Sequence, residues 1–540
     1  MTTGGLREFV ADTAEGEVSS LVAVRGELST AFTVRQEPGA AGSGMHRRTW
    51  LDTFDWRLYK AGLTLRFEQA RRGGRLVLSQ ADGTPQAEQP VTRWPRRPGL
   101  AEDLPPGPVR DRILVLTSPR ALLPIVKAAS TVSVNRLLNA DGKTVARLVE
   151  DRVTVTAPTP NTAGGTTAEL PPRLAVAEVR GYPGQARKAA GLLASMPGVS
   201  HASQSVFIAA LTALGRHPAD YTSGVDAEIT ATMPGPVAVA RLLLRLLDTV
   251  ELNVDGVLRD IDTEFLHDLR VAVRRTRSAI KLLGEVLPFD LAEHFKAEFK
   301  WLGDATTPVR DLDVHLLGFD AMTEQLVAAS PGDLEPLRAF LVRRRAREFR
   351  RLAAALRGPR FRAITDDWRK ALLEIRDVDG PRRRRPSAVA LALSATGRSF
   401  RRIAAQGSAI TSDSPPESLH DLRKRAKELR YLLEFFAPLH DPVAYRKVVS
   451  DLKQLQDCLG EFQDSEVQRA EIHTLADAML ADSMFAGRAA PAATLLAMGE
   501  IAAKLALSQA EARAEFAARF ARFAGPVGRE RVQVLLEGRS

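Results

Sequence analysis

Two stretches of this chain, FLHDLRVAVRRTRSAIKLL from Phe265 and SLHDLRKRAKELRYLLEFF from Ser418, repeat one pattern 153 residues apart. His267 matches His420, Arg270 matches Arg423, Arg274 matches Lys427 and Arg277 matches Arg430. The same offset carries Lys300 to Lys453 and Asp311 to Asp464. A register held without a gap over that distance indicates a duplicated helical hairpin or bundle. The shared residues of each first helix are spaced i, i+3, i+7, i+10, which at about 100° per residue confines them to a stripe roughly 80° wide. Leu269, Val273, Thr276 and Ile280, with their counterparts Leu422, Ala426, Leu429 and Leu433, fall on a separate apolar face. Each helix is therefore expected to pack by one stripe and to present a basic stripe beside it.

A solvated helix face ordinarily mixes charge signs at i, i+4 for mutual support. This stripe contains no acid, and its cations repel unless a counter-anion sits among them, so an anion site is expected. His267 and His420 lie at the same end of the stripe, where they can donate to phosphate oxygens. Asp268 and Asp421 are expected in the first turn, complementing the helix dipole. Asp311 and Asp464 read as structural partners of a stripe arginine. Val271 against Lys424, and Arg275 against Glu428, read as exposed neighbours left free to drift. No second His follows either histidine at i+3 or i+4, and Cys458 is the single cysteine, so no metal site is expected here. Cys458 reads as a small buried residue in a chain that suits a reducing cytosol.

A chain of 540 residues exceeds one ordinary core, and two or three domains are expected. The boundaries are placed at 1–213, a linker at 214–226 within LGRHPADYTSGVD, and 227–540. The first domain carries short branched runs, GGRLVLSQADG, DRILVLTS, TVSVNRLL, TVARLVEDRVTVTA and RLAVAEVRGY, with a turn at NADGKT and a helix at PGQARKAAGLLASM. This predicts an α+β domain dominated by antiparallel sheet and closed as a barrel, with flanking helices. From about Ile229 the apolar residues recur at helical spacing, predicting an all-α domain of two related helical bundles, interrupted at DVDGPRRRRPSA. The formal charge is +10, but residues 221–540 hold 48 Lys/Arg against 45 Asp/Glu. The helical half is thus nearly balanced, and an anion site there must come from segregation of charge onto faces. One basic stretch, Arg338 to Arg402, holds 20 basic and 6 acidic residues. The N-terminus lacks the basic and apolar regions of a signal peptide, and no window of about 18 apolar residues exists, so a cytoplasmic protein without a membrane span is expected.

Two basic stripes related by an internal two-fold can face each other across a groove or pore. Arg forks suit phosphate oxygens and Lys supplies point charge. A long, densely charged ligand is expected, either polyphosphate or nucleic acid. Proteins that hold single-stranded nucleic acid interleave aromatics for base stacking; the stripes contain none, which favours a polyanion without bases.

The motifs LHDLRVAVRRTRSAIKLL, FKWLGDATTPVRDLDV, LHDLRKRAKELRYLLEFF and LKQLQDCLGEFQD give the region from about Gly235 to Ala524 a resemblance to CHAD domains. The resemblance implies two pseudo-symmetric four-helix bundles with a basic central pore associated with inorganic polyphosphate. The binding candidates it implies are His267, Arg270, Arg274, Arg277, Lys300, His420, Arg423, Lys427, Arg430 and Lys453. One departure stands out: CLGEF in the second copy is ATTPV in the first, so Thr307 occupies the position of a glycine.

Residues from roughly Leu6 to Pro197 resemble a CYTH domain through RTWLDTFDWRLYKAGLTLRFE. That resemblance implies an eight-stranded antiparallel tunnel. Catalysis in that family uses a Glu-x-Glu-x-Lys strand and a later Glu-x-Glu strand, whose carboxylates hold divalent metal. Here REFVAD keeps only Glu8, LAVAEVRGY keeps only Glu178, and RLVLSQ ends in Gln80. The resemblance therefore implies a degenerate tunnel without catalytic residues or a cofactor, with Glu8, Arg57, Arg66 and Glu178 as residual tunnel residues. The expected function is non-catalytic polyphosphate binding, for example on polyphosphate granules. The alternative is a triphosphatase using Mg²⁺ or Mn²⁺ in the tunnel, with the helical domain as a tether.

Overall fold

In a computed structural model, residues 7–11, 17–37, 44–70, 73–92, 98–158, 166–377, 386–486 and 491–537 are described. The chain divides into two compact units, Met1–Thr222 and Ser223–Ser540. Most of the DVDGPRRRRPSA break lies outside the described residues.

The first unit runs β1 (Arg7–Ala11), α1 (Glu17–Ser29), β2 (Thr33–Gln36), β3 (Gly44–Asp52), α2 (Arg57–Lys60), β4 (Leu63–Gln69), β5 (Gly74–Gln80), β6 (Pro85–Val91) and α3 (Pro108–Thr117). It continues through β7 (Leu123–Leu138), β8 (Thr144–Thr156), β9 (Thr167–Glu169), β10 (Arg173–Glu178), α4 (Pro183–Ser195), β11 (Val199–His201) and α5 (Val206–Ala213). The strands form one antiparallel sheet in the order β11-β1-β10-β8-β7-β3-β4-β5-β6, with β2 added to β7 and β9 to β8. The NADGKT turn closes the long β7–β8 hairpin. Gly142 takes the positive φ that this turn requires, and the Lys143 N–H donates to Asn139 Oδ1 at 2.9 Å.

The expected barrel is not formed: among the described residues the sheet is open, with β11 and β6 as its edges. Closure would need two edges able to pair. β11 has only three residues, and Pro85 and Pro90 remove two donors from β6. DRILVLTS is also not a strand but the body of α3. Pro108 starts the helix at its first turn, and Gln89 Oε1 accepts from the Val109 and Arg110 N–H groups at 3.2 and 3.1 Å. Val109, Ile113 and Thr117 are buried while Val115 is exposed, a spacing of four that overrides the β preference of the branched residues.

The second unit is helical: α6 (Gly235–Leu258), α7 (Thr263–Leu283), α8 (Phe289–Leu317), α9 (Phe319–Thr323), α10 (Glu335–Arg357) and α11 (Pro359–Arg376), then α12 (Ala388–Ser408), α13 (Pro416–Phe435), α14 (Pro442–Ala486), α15 (Ala492–Ala524) and α16 (Pro526–Glu537). The starts of α6 and α12, of α7 and α13, and of α8 and α14 are each 153 residues apart. The eight apolar-face residues of α7 and α13 named above are all buried. Asp262, not Asp268, caps α7, its Oδ1 accepting from the Glu264 and Phe265 N–H groups at 2.9 and 3.3 Å. Asp268 is buried one turn further in, and Asp421 is exposed beside Lys424. Cys458 is buried, its thiol donating to the Ala512 carbonyl at 3.2 Å. Among the described residues no helix is long and apolar enough to cross a membrane.

His440, which precedes α14, occupies the register of the buried Leu287 in the first copy. It is 1% exposed, and neither ring nitrogen has a hydrogen-bond partner among the described residues. Burial lowers its pKa to about 4. The unfolded chain, with an ordinary imidazole, therefore takes up the proton first as the solution is acidified. The stability held by neutral His440 is complete above about pH 6.5 and is lost as pH falls toward 4, a change of about 3 kcal/mol for a shift of this size. Replacement by leucine, as His440→Leu, is expected to flatten the decline in urea-unfolding stability of the helical unit between pH 7 and 4. An unchanged decline would place the acid sensitivity elsewhere.

Candidate anion-binding cleft

α7 and α13 meet along a charged seam. Arg275 Nη2 donates to Glu434 Oε2 at 2.7 Å, and Lys281 Nζ donates to Glu428 Oε1 at 2.5 Å. At the 153-residue offset Arg275 corresponds to Glu428 and Lys281 to Glu434. The two ion pairs are thus reciprocal, with charge exchanged between copies. The guanidiniums of Arg274 and Arg275 also lie 5.8 and 5.9 Å from the Tyr431 ring centre. Arg275 and Glu428 are partners in this seam rather than drifting surface positions.

The seam sets the two basic stripes beside a pair of adjoining clefts. The first, of about 590 Å³, is lined by His267, Arg270, Arg274 and Arg277 of α7, by Arg310 of α8 and by Arg423 of α13. The second, of about 560 Å³, shares His267, Arg274 and Arg423 and adds Lys427 and Arg430. Seven of the ten sequence candidates are brought together here. Lys300 and Lys453 line neither cleft. Both are exposed, and Lys300 pairs with Asp304 at 2.7 Å. His420 also lies outside both, its Nδ1 hydrogen-bonded to Gln463 Oε1.

Arg423, Arg430 and Arg310 of the clefts have carboxylate partners in Asp464, Glu434 and Glu264; what separates the remaining cations from an ordinary charged surface is the absence of one among the described residues. In the basic stretch 338–402, Arg345 pairs with Asp260 and Asp313, Arg360 with Glu298, and Arg369 with Asp248 and Glu251. Among the described residues no carboxylate lies within ion-pair distance of Arg270, Arg274, Arg277 or Lys427. Burial and the neighbouring Arg274, Arg277 and Arg310 lower the pKa of Arg270, with Asp311 opposing them. The Lys427 ammonium is lowered to about 8, first by burial and then by Arg423, Arg274 and Arg430, against a smaller opposing effect of Asp464. Of the two aspartates expected to serve stripe arginines, Asp464 accepts from Arg423 Nη2 at 2.7 Å, whereas Asp311 lines the cleft without such a bond to Arg270.

Arg310 is not among the residues that the repeat shares, because its counterpart is Gln463. Its neighbour Asp311, which the offset does retain, was the available signal.

In the first unit the residual tunnel residues are not assembled. Glu8 pairs with Arg173 at 3.2 Å, and Glu178 is exposed at the end of β10. Arg57 is held by Asp55 at 3.0 Å and by the Thr117 and Ser118 carbonyls at 3.0 and 2.8 Å. Arg66 pairs with Glu68 at 2.7 Å. A cleft of about 410 Å³ in this unit is lined instead by Arg48, Glu68, Arg75 and Asp151 with their neighbours.

The CHAD domain family model matches residues 241–473. Solved structures similar to the chain include the CHAD domain from the plant Ricinus communis, at 25% identity and a TM-score of 0.45, covering 55% of this chain and 95% of that one. PptA from Streptomyces chartreusis is similar at 17% identity and a TM-score of 0.40, covering 53% of this chain and 99% of that one. No curated protein matches the chain. The matched residues 241–473 thus take in both HDLR helices and the lining of both clefts apart from Ser223, and this part of the chain is similar to CHAD domains.

Proposed function

We propose that this protein binds inorganic polyphosphate without transforming it, through the adjoining clefts of α7 and α13. The single observation that carries the reading is the set of four cations, Arg270, Arg274, Arg277 and Lys427, that line the clefts without a carboxylate partner among the described residues. Cations so placed repel one another, and a polyanion relieves that repulsion while accepting their hydrogen bonds. The association of CHAD domains with polyphosphate supports the choice of polymer, as does the absence of aromatic residues from the two stripes. The matched element starts and the reciprocal, charge-exchanged ion pairs support reading the helical unit as two copies related by an internal two-fold, in which residue i meets j and j meets i. Attachment to polyphosphate granules is one use of such a site.

The test is a titration of the full chain with long-chain polyphosphate across a salt series. Neutralising about four phosphates gives an expected slope of log K against log[salt] of about −3, by analogy with single-stranded nucleic acid. Weak binding with a flat salt dependence would contradict the proposal.

A further inference from the structure

The two copies are unequal where they line the groove. At the 153-residue offset, Thr306, Thr307 and Arg310 stand against Leu459, Gly460 and Gln463. Arg270 Nη1 donates to Thr306 Oγ1 at 3.0 Å, to Thr307 Oγ1 at 2.8 Å and to the Gly303 carbonyl at 3.3 Å. The threonine hydroxyls donate onward to the same carbonyl at 2.9 and 2.8 Å. Among the described residues Arg270 is thus hydrogen-bonded by neutral acceptors alone, and its Nε and Nη2 take none. Its counterpart Arg423 has no hydroxyl at these positions and turns to Asp464. One copy fixes its arginine through neutral groups, with Asp311 acting on it only at a distance; the other bonds its arginine directly to a carboxylate.

The linings differ in the same sense. Five guanidiniums of the first cleft face three carboxylates, Asp311, Asp464 and Glu471; Glu471 is already engaged by His315 at 2.8 Å, and Arg310 also lies 3.9 Å from Glu264 behind the lining. Five cationic side chains of the second face five carboxylates, Asp268, Glu434, Asp457, Glu461 and Asp464. Glu434 accepts from both Arg275 and Arg430 at 2.7 Å. The groove therefore runs from a strongly positive end to a nearly balanced one.

A linear polyphosphate is also uneven. Each internal phosphoryl group carries one negative charge, whereas a terminal group, like a phosphomonoester, has a second ionisation near pH 6 and carries about 1.5 to 2 charges at pH 7. We infer that the groove holds linear polyphosphate by its end, with the terminal phosphoryl group among Arg270, Arg274, Arg277 and Arg310 and the following units passing Arg423 toward Lys427. The inference rests on polyphosphate being the ligand.

The test compares long-chain polyphosphate with the same chain capped at both ends as phosphoramidates of a neutral amine, titrated against the full-length protein. Loss of the terminal charge-assisted hydrogen bonds is expected to weaken binding of the capped chain about 10- to 100-fold. The uncapped chain is expected to take no more than two proteins, one per end. Thr307→Val removes one acceptor of Arg270 at nearly constant volume and is expected to narrow the gap between free and capped chains, an effect that a general loss of stability does not produce. Equal affinity for the two chains, or many proteins bound along one chain, would overturn end recognition while leaving polyphosphate binding intact. No binding of either chain would overturn both.

Discussion

Simultaneous replacement of Arg270, Arg274, Arg423 and Lys427 by glutamate is expected to weaken polyphosphate binding by at least about 1,000-fold. Each lost hydrogen bond between charged groups is worth about 1.5 kcal/mol or more. The four are not additive, so about 4 kcal/mol is a conservative total, equivalent to roughly three decades in Kd. Of the four residues, Arg423 alone is half of an ion pair, with Asp464, so the apolar faces of α7 and α13 should stay packed. Far-ultraviolet circular dichroism checks that directly. If the quadruple variant unfolds, Arg277→Gln serves instead: this side chain is exposed, is without a carboxylate partner, and lines only the first cleft. It should cost about tenfold or more in affinity with the helical signal intact. A folded quadruple variant that still bound polyphosphate would remove these residues from the site.

Affinity is also expected to depend on pH in a range where phosphate groups no longer titrate. Lys427 has a pKa lowered to about 8 in the free protein, through burial and then through the surrounding guanidiniums. A bound polyanion compensates those charges and returns the ammonium toward its ordinary value near 10.4. The complex thus binds more protons than the free protein above pH 8, and binding takes up a proton there. Above about pH 7 affinity should fall as pH rises through 8 and level off again near 10.4, for a total loss of up to about 250-fold. The replacement Lys427→Arg, which stays charged throughout, should remove most of that dependence. Titration of wild type and variant at pH 7, 8.5 and 10 checks this. Parallel profiles would mean that Lys427 does not contact the ligand.

The stripes were legible in the sequence because they are periodic: an acid-free run at i, i+3, i+7, i+10, present twice, leaves few packings in which its faces could be reversed. Their apolar partners were legible for the same reason. The seam was not. Arg275 and Glu428 differ in charge at matching positions, which in a sequence resembles loss of constraint. In the fold both positions lie at the contact of α7 with α13, where like charges would repel, and the opposite sign on α13 makes the contact attractive. The change from CLGEF to ATTPV was visible, but its consequence for Arg270 needed the third dimension. In the first unit the hairpin and the strands around it followed from alternation and turn chemistry. Closure of the sheet did not follow, because it depends on edges, and β6 and β11 are a proline-bearing strand and a three-residue one. The branched residues of α3 suit a strand by composition, but the helix start is fixed by Pro108 and by a side chain from β6, Gln89.

The most direct test of where the polymer lies is amide hydrogen exchange on the full-length protein with and without saturating long-chain polyphosphate. The account predicts slowed exchange in residues 263–283 and 416–435, and in the parts of α8 and α14 around Thr306–Asp311 and Gly460–Asp464 that line the clefts. Protection confined instead to the arginine-rich face of α10 or to the sheet unit would contradict it.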